Sequence, residues 1–333
     1  MPIKPNLVRA ASLTHYVEVA RAVGLDPWRM LAEAGLNRTC IDNPDLRISV
    51  DAANTLLERS AALSGEEAFG LRMAEGRRIS NLGVLGLMLR EQPTLRLAMQ
   101  SVRTYGRLQN EALFQHVEEA NGIATIYEHL LLNRAGGTRQ AAELVIAVGL
   151  RALRLFLGNE WNARRICFTH SEPASLAVHR RVLGQTPEFG CDFNAIVCSS
   201  ADLDTRIATA DPVMADFLSR QLKVDAGRRA MVADEVRRMA LVLLPLGRCA
   251  VEQVAGLMGV SRRTVCSQLA REGTSFSDIV CAMRRELARR YLSEGQLSLT
   301  DISGLLGFRD LSSFSRWHKL QFGGSPLKQR GRG

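Results

Sequence analysis

Val254-Ala255-Gly256-Leu257-Met258-Gly259-Val260 recurs, one helix length later, as Ile302-Ser303-Gly304-Leu305-Leu306-Gly307-Phe308. Each copy ends an apolar-periodic helix at a glycine and passes directly into a second helical pattern, the sequence form of a helix-turn-helix. Two such units on one chain imply two recognition helices laid along one double-stranded DNA.

In the first copy Val251, Val254, Leu257 and Met258 share a helical face, and Gly259 supplies the left-handed turn. Ser261 is the expected N-cap of a helix from Arg262 to about Glu272, with Val265 and Leu269 facing inward. Arg262, near its start, and Arg263, Cys266 and Ser267 are left outside to meet a groove. In the second copy Ile302, Leu305 and Leu306 face inward, Gly307 turns the chain, and Asp310 caps a helix from Leu311 to about Gln321. Phe314 and Trp317 are the expected core anchors of that helix. Ser312, Ser313, Ser315, Arg316 and Lys319 remain available to DNA.

A helical segment from Ser275 to about Ser293 joins the two copies, with Ile279, Met283, Leu287 and Tyr291 at every fourth position and Arg284, Arg285, Arg289 and Arg290 on other faces. Nineteen residues span about 28 Å, near the roughly 34 Å repeat of one duplex turn. Its arginines read equally as phosphate contacts or as a solvated face. Residues 225–333 carry 18 Lys and Arg against 10 Asp and Glu, so +8 of the chain's formal +9 lies in its last third. Such an excess is expected where phosphates must be neutralised.

Ser261-Arg262-Arg263-Thr264-Val265, Glu272-Gly273-Thr274-Ser275-Phe276, Ser312-Ser313-Phe314-Ser315-Arg316 and Gly324-Ser325-Pro326 resemble the C-terminal domain of the AraC/XylS family of bacterial transcription regulators. The resemblance covers about residues 235–330. It implies that Arg263, Cys266 and Ser267 on the first recognition helix, and Ser312, Ser313 and Arg316 on the second, face DNA. We also expect a homodimer on operator or promoter DNA and a contact with RNA polymerase. Cys266 and Ser267 depart from the long polar or basic side chains usual there, and Ser303 stands where a small alanine is common.

The rest of the chain has a different pattern. Residues 1–110 read as helices, with caps at Asp26, Ser49 and Ser80. Asn121-Gly122 between β-formers marks a hairpin. A helix from Thr138 to Leu157, a strand at Arg165 to His170, a helix from Pro173 to Leu183 and a strand at Cys191 to Cys198 follow. The expected architecture is an α+β N-terminal effector domain (1–222) with a small antiparallel sheet, then an all-α C-terminal domain (225–333) of two helix-turn-helix units joined by a linker helix. Polar residues Lys223 to Arg229 form the expected boundary. Asn81-Leu82-Gly83, Phe168-Thr169-His170 and Phe189-Gly190 through Phe193-Asn194-Ala195 resemble the arabinose-binding-like N-terminal domain of one branch of the same family. That resemblance implies a small-molecule effector and dimerisation, not catalysis.

No sequence motif marks the effector's binding residues. Arg151 and Arg154 interrupt the apolar helix Leu144 to Leu157 and read as an exposed polar face, with an anionic ligand as the alternative. Cys167, His170, Cys191 and Cys198 lack zinc spacing and read as structural. No catalytic residue, metal site or cofactor is expected, since neither a nucleophile motif nor a complete phosphate loop is present. Seven cysteines without a regular framework, no apolar run of 18 residues and no signal segment lead us to expect a cytoplasmic protein. The competing reading is a basic architectural or accessory DNA-binding protein without ligand control.

Overall fold

The computed structural model describes residues 6–132, 137–208, 210–227, 232–245, 247–258, 260–294 and 297–327. Its contacts divide the chain into two compact units, 1–228 and 229–333.

In the first unit, strands β1 (Leu7–Arg9) and β2 (Arg47–Ser49) pair antiparallel. Between and after them run helices α1 (Tyr16–Ala22), α2 (Pro27–Glu33), α3 (Thr39–Asp42), α4 (Val50–Ser64), α5 (Phe69–Glu75), α6 (Gly83–Arg90) and α7 (Leu95–Tyr105). Asp26 accepts hydrogen bonds from the Trp28 and Arg29 amides, and Ser49 accepts one from Ala52, so both expected caps form. The third does not. Ser80 sits inside a 3-10 turn, Ile79–Leu82, and α6 begins only at Gly83.

The main sheet holds β3 (Leu113–Ala120), β4 (Ile123–Leu130), β5 (Arg165–Cys167) and β6 (Asn194–Ser199), in the order β3-β4-β6-β5, antiparallel throughout. Asn121 (φ 53°) and Gly122 (φ 75°) are both left-handed, as a two-residue type I′ hairpin requires. Helix α8 (Arg139–Leu157) packs across β4 and β6. Its apolar face buries Leu144, Ile146, Ala147, Leu150 and Leu153. Helix α9 (Ala177–Leu183), the short α10 (Ser200–Leu203) and α11 (Pro212–Gly227) complete the unit. The chain from Pro173 to Leu176 is not helical, so α9 is shorter than expected. The expected linker from Lys223 is instead helical as far as Gly227. Asp211 caps α11 through the Val213 and Met214 amides, and Leu218 and Leu222 pack on the core.

The second unit is helical: α12 (Val232–Leu243), α13 (Val251–Met258), α14 (Arg262–Arg271), α15 (Phe276–Glu294), α16 (Leu299–Leu305) and α17 (Leu311–Phe322). Its core gathers Val236, Leu244, Val254, Val265, Leu269, Met283, Ile302, Leu306 and Phe314. Helices α13 and α14 pack together, as do α16 and α17, and α15 joins the two pairs. Gly259, the expected turn residue of the first pair, lies outside the described residues. Gly307 turns the second with φ 70°.

Candidate nucleic-acid interface and effector cavity

The first recognition helix is set by its cap and its buried stripe. Ser261 Oγ accepts the Thr264 amide at 3.1 Å, fixing the start of α14, while Val265 and Leu269 are wholly buried. By helical periodicity the opposite face presents Arg262, Arg263, Cys266 and Ser267, and all four are exposed. Arg262 is ion-paired with Glu252 on α13 at 2.9 Å, so it ties the two helices of this pair together as well as facing out.

The second recognition helix follows the same plan. Asp310 Oδ1 accepts the Ser313 amide at 2.7 Å, and that bond holds the Asp310 carboxyl below its ordinary range. Ser312, Arg316 and Lys319 are exposed, and Ser313 and Ser315 are half-buried. Phe314 is fully buried as expected, but Trp317 is only half-buried, lying against Phe308 with ring centroids 5.3 Å apart. The second deep anchor is His318. Its Nδ1 lies 2.9 Å from the Gly324 carbonyl oxygen, which can only accept, so Nδ1 carries the proton. A histidine at a core position carries no apolar signal, which is why periodicity passed it over. Leu311, exposed beside Ser312 in the first turn, is a further outward-facing side chain of this helix.

Three polar groups support the two pairs from within the unit. Glu272 at the end of α14 accepts the Val232 and Ala233 amides at 2.7 and 2.8 Å, capping α12. Ser303, buried where alanine is common, donates to the Asp310 carbonyl at 3.0 Å across the second turn. Arg284 is neither a solvated nor a phosphate-facing side chain: its Nε donates to the Leu306 carbonyl at 2.9 Å, and its guanidinium lies 4.6 Å from the Phe308 ring centroid. Burial lowers its pKa, yet it stays a cation. It satisfies a helix C-terminus that would otherwise keep unpaired carbonyls. Arg285 and Arg289 remain exposed on α15.

The first unit contains a cavity of about 190 Å³ lined by the sheet, α7 and α8. An apolar cavity of about 150 Å³ holds benzene, so this one has room for a small metabolite. Leu95, Met99 and Val102 wall one side, and Val148, Ala152 and Phe156 wall another. Arg151 and Arg154 do not line it. Arg151 is exposed, and Arg154 donates to the Leu183 carbonyl at 2.6 Å at the end of α9. Glu128 and Gln115 are the polar lining from the sheet, with Arg9, Ser12, Arg77, Asn81, Gln109 and Asn110 lining it elsewhere. Glu128 is buried on β4 and bonded to Gln115 on β3, its partner in register. Burial pushes its pKa up to about 8, against the smaller opposing effect of the Gln115 bond.

That shift has a measurable sign. Between the unfolded carboxyl value of 4.5 and about 8, the folded chain holds a proton that the unfolded chain has released. Stability therefore falls as pH rises through this window, by up to about 1.4 kcal/mol per unit for this group, and levels off above it. Glu128→Gln is expected to flatten that slope in urea titrations between pH 5.5 and 7.5. Identical slopes in the two proteins would contradict the buried, protonated acid.

Elsewhere in this unit Cys167, Glu188 and Cys191 bring their ligand atoms within 4.8 Å of one another, whereas His170 and Cys198 are not among them. Glu188 is held in an ion pair by Arg165. Cys167 and Cys198 are buried, and burial raises both thiols, to about 11 and about 12. Thiols so shifted are protonated and inert at neutral pH. Among the described residues, no helix is long and apolar enough to cross a membrane.

A ligand-sized cavity on one unit and two capped recognition helices on the other define a ligand-responsive transcription regulator. Residues 24–207 match the family described as the arabinose-binding domain of AraC transcription regulator, N-terminal, and residues 254–332 match a helix-turn-helix domain. The chain belongs to the AraC family of transcriptional regulators, with an N-terminal effector-binding domain and a C-terminal DNA-binding domain. The HTH-type transcriptional regulator VirS of Mycobacterium tuberculosis is 28% identical over 339 residues, covering 98% of this chain and 97% of that one. The ornithine utilization regulator of Pseudomonas aeruginosa is 26% identical over 332 residues, covering 98% and 96%. The crystal structure of the regulator CdpR from Pseudomonas aeruginosa aligns over 91% of this chain and 96% of its own at 19% identity, with a TM-score of 0.43.

Proposed function

We propose that α14 and α17 read operator DNA and that the cavity between the sheet, α7 and α8 is where the effector binds. The observation that carries the first half is the arrangement of each helix. Arg263, Cys266 and Ser267 stand outward over a buried Val265–Leu269 stripe, and Ser312, Arg316 and Lys319 stand outward over Phe314 and His318. Capping serines and aspartates leave the first-turn side chains at the helix N-terminus, where groove-reading residues belong. Exposed Arg285 and Arg289 on the connecting helix add sequence-independent phosphate attraction. The chain acts as a homodimer on two half-sites and works in the cytoplasm, where it meets RNA polymerase at the promoter.

Arg316→Ala tests the second helix. If Arg316 reads a guanine, the variant loses about 1–3 kcal/mol of operator affinity and relaxes preference at one base pair. Competition titrations against single-base operator variants check this. Equal weakening on every duplex would reassign Arg316 to the phosphate backbone. The cavity is tested by Val148→Phe, which fills it from α8 and is expected to abolish the effector's influence on operator affinity while leaving basal DNA binding intact.

A further inference from the structure

Resting on the reading of the cavity as the effector site, its polar end restricts the chemistry of the ligand. Gln115 donates its amide N–H to Glu128 Oε1, so Gln115 Oε1 faces elsewhere. Both that oxygen and Glu128 Oε2 are buried without a hydrogen-bond partner among the described residues. Once Glu128 is ionised the two oxygens are acceptors side by side on adjacent strands, and no protein group brings either a donor. Across from them α8 carries Gly149, where even a methyl group would lie 3.8 Å from Glu128 Oε1. The side chain missing there leaves space beside the carboxyl. Buried acceptors of this kind are costly unless something donates to them.

The surrounding charges do not serve that purpose. Arg9 and Arg77 are the cations lining the cavity. Arg9 is engaged by Asp45 and Gln109. Arg77 donates to the Ala11 carbonyl at 2.8 Å and to that of Ser12, and burial alone lowers its pKa. The remaining lining from β3, β6, α7 and α8 contains no titratable side chain, and Glu128 pairs in register with the neutral Asn194 on β6.

We propose that the cavity binds an organic amine, its ammonium N–H groups donated to Glu128 Oε2 and Gln115 Oε1 and its aromatic or short aliphatic body packed between α7 and α8. Against the ionised carboxyl an alcohol offers only one donor to the two acceptors, and a carboxylate offers none. Amine binding also gives Glu128 a reason to ionise. Near neutral pH the bound ammonium draws off the carboxyl proton, which leaves to the buffer, so binding is linked to release of a proton from Glu128.

The test is calorimetric titration of the full-length chain with phenethylamine and hexylamine, against 2-phenylethanol and phenylacetate as matched neutral and anionic probes. Both amines are expected to bind, phenethylamine more tightly than either matched probe. Affinity for the amines should rise by up to about tenfold per pH unit from pH 6 to 8. Glu128→Gln, nearly isosteric, should lower amine affinity at least tenfold and remove the pH dependence without weakening 2-phenylethanol. Gln115→Leu should weaken the amines in the same direction. Tighter binding of 2-phenylethanol or phenylacetate than of phenethylamine, absence of binding by both amines, or full amine affinity in Glu128→Gln would overturn the proposal. Val148→Phe separates the two readings. Probe binding that survives it would place the ligand outside the cavity and overturn the effector-site reading itself, whereas probe binding that it abolishes, without amine preference, would overturn only the ligand class.

Discussion

Glu143→Ala is expected to cost the N-terminal unit about 3–5 kcal/mol, enough to leave much of it unfolded near body temperature. Glu143 projects from α8 with no exposed surface. One of its oxygens lies 2.9 Å from His179 Nε2 on α9 and 3.3 Å from Arg139 Nε, while His170 Nε2 approaches to 3.3 Å without hydrogen-bond geometry. The carboxyl group therefore fastens α9 to the helix that walls the cavity. Removing it leaves a buried imidazole without its partner and an opened space. Glu143→Gln keeps an acceptor at the same place and should lose clearly less. Urea midpoints at constant m-value report the difference, and a loss below about 1 kcal/mol for Glu143→Ala would show that the network contributes little.

The second large effect belongs to the DNA-binding unit. Gly307→Ala should destabilise it by about 3 kcal/mol or more, with operator binding lost in parallel. Two costs coincide at this position. The backbone is left-handed, and a Cβ would stand 2.5 Å from the Leu244 carbonyl oxygen, a backbone atom that cannot swing aside. Gly323, at the C-terminus of α17, has nearly the same φ of 73° but open space around it, so Gly323→Ala isolates the conformational cost alone, about 1 kcal/mol. Equal losses for the two substitutions would remove the steric argument for the turn.

The glycine repeat and its caps made the second unit legible from sequence, because helix ends are specified by local chemistry. Ser261, Asp310, Val265, Leu269 and Phe314 take the positions that spacing assigns them. Spacing does not reveal which polar side chains turn inward. Arg284 and His318 look like surface residues in any hydrophobic pattern, yet one closes the C-terminus of α16 and the other binds the Gly324 carbonyl. Partners brought together by tertiary folding cannot be read from a local window. The cavity was hidden for the same reason. Gln115 and Glu128 lie 13 residues apart across a hairpin, and Gly149 meets them only after α8 packs on the sheet. The hairpin itself was announced by Asn121-Gly122, whose left-handed pair leaves the chain few alternatives.

Selection of duplexes from a random-sequence library by the full-length chain tests the central claim most directly, with the selected duplex then compared with a random one of equal length at physiological salt. Two reading helices predict an enriched motif with two contacted blocks per protomer, bound at least about a thousandfold more tightly than random DNA. The double substitution Arg263→Ala with Arg316→Ala should bring that ratio down by two orders of magnitude or more, while the residual salt-dependent binding remains. A full-length chain that enriches no motif and binds random and selected duplexes alike would contradict sequence reading by α14 and α17, and would make this a protein that coats DNA.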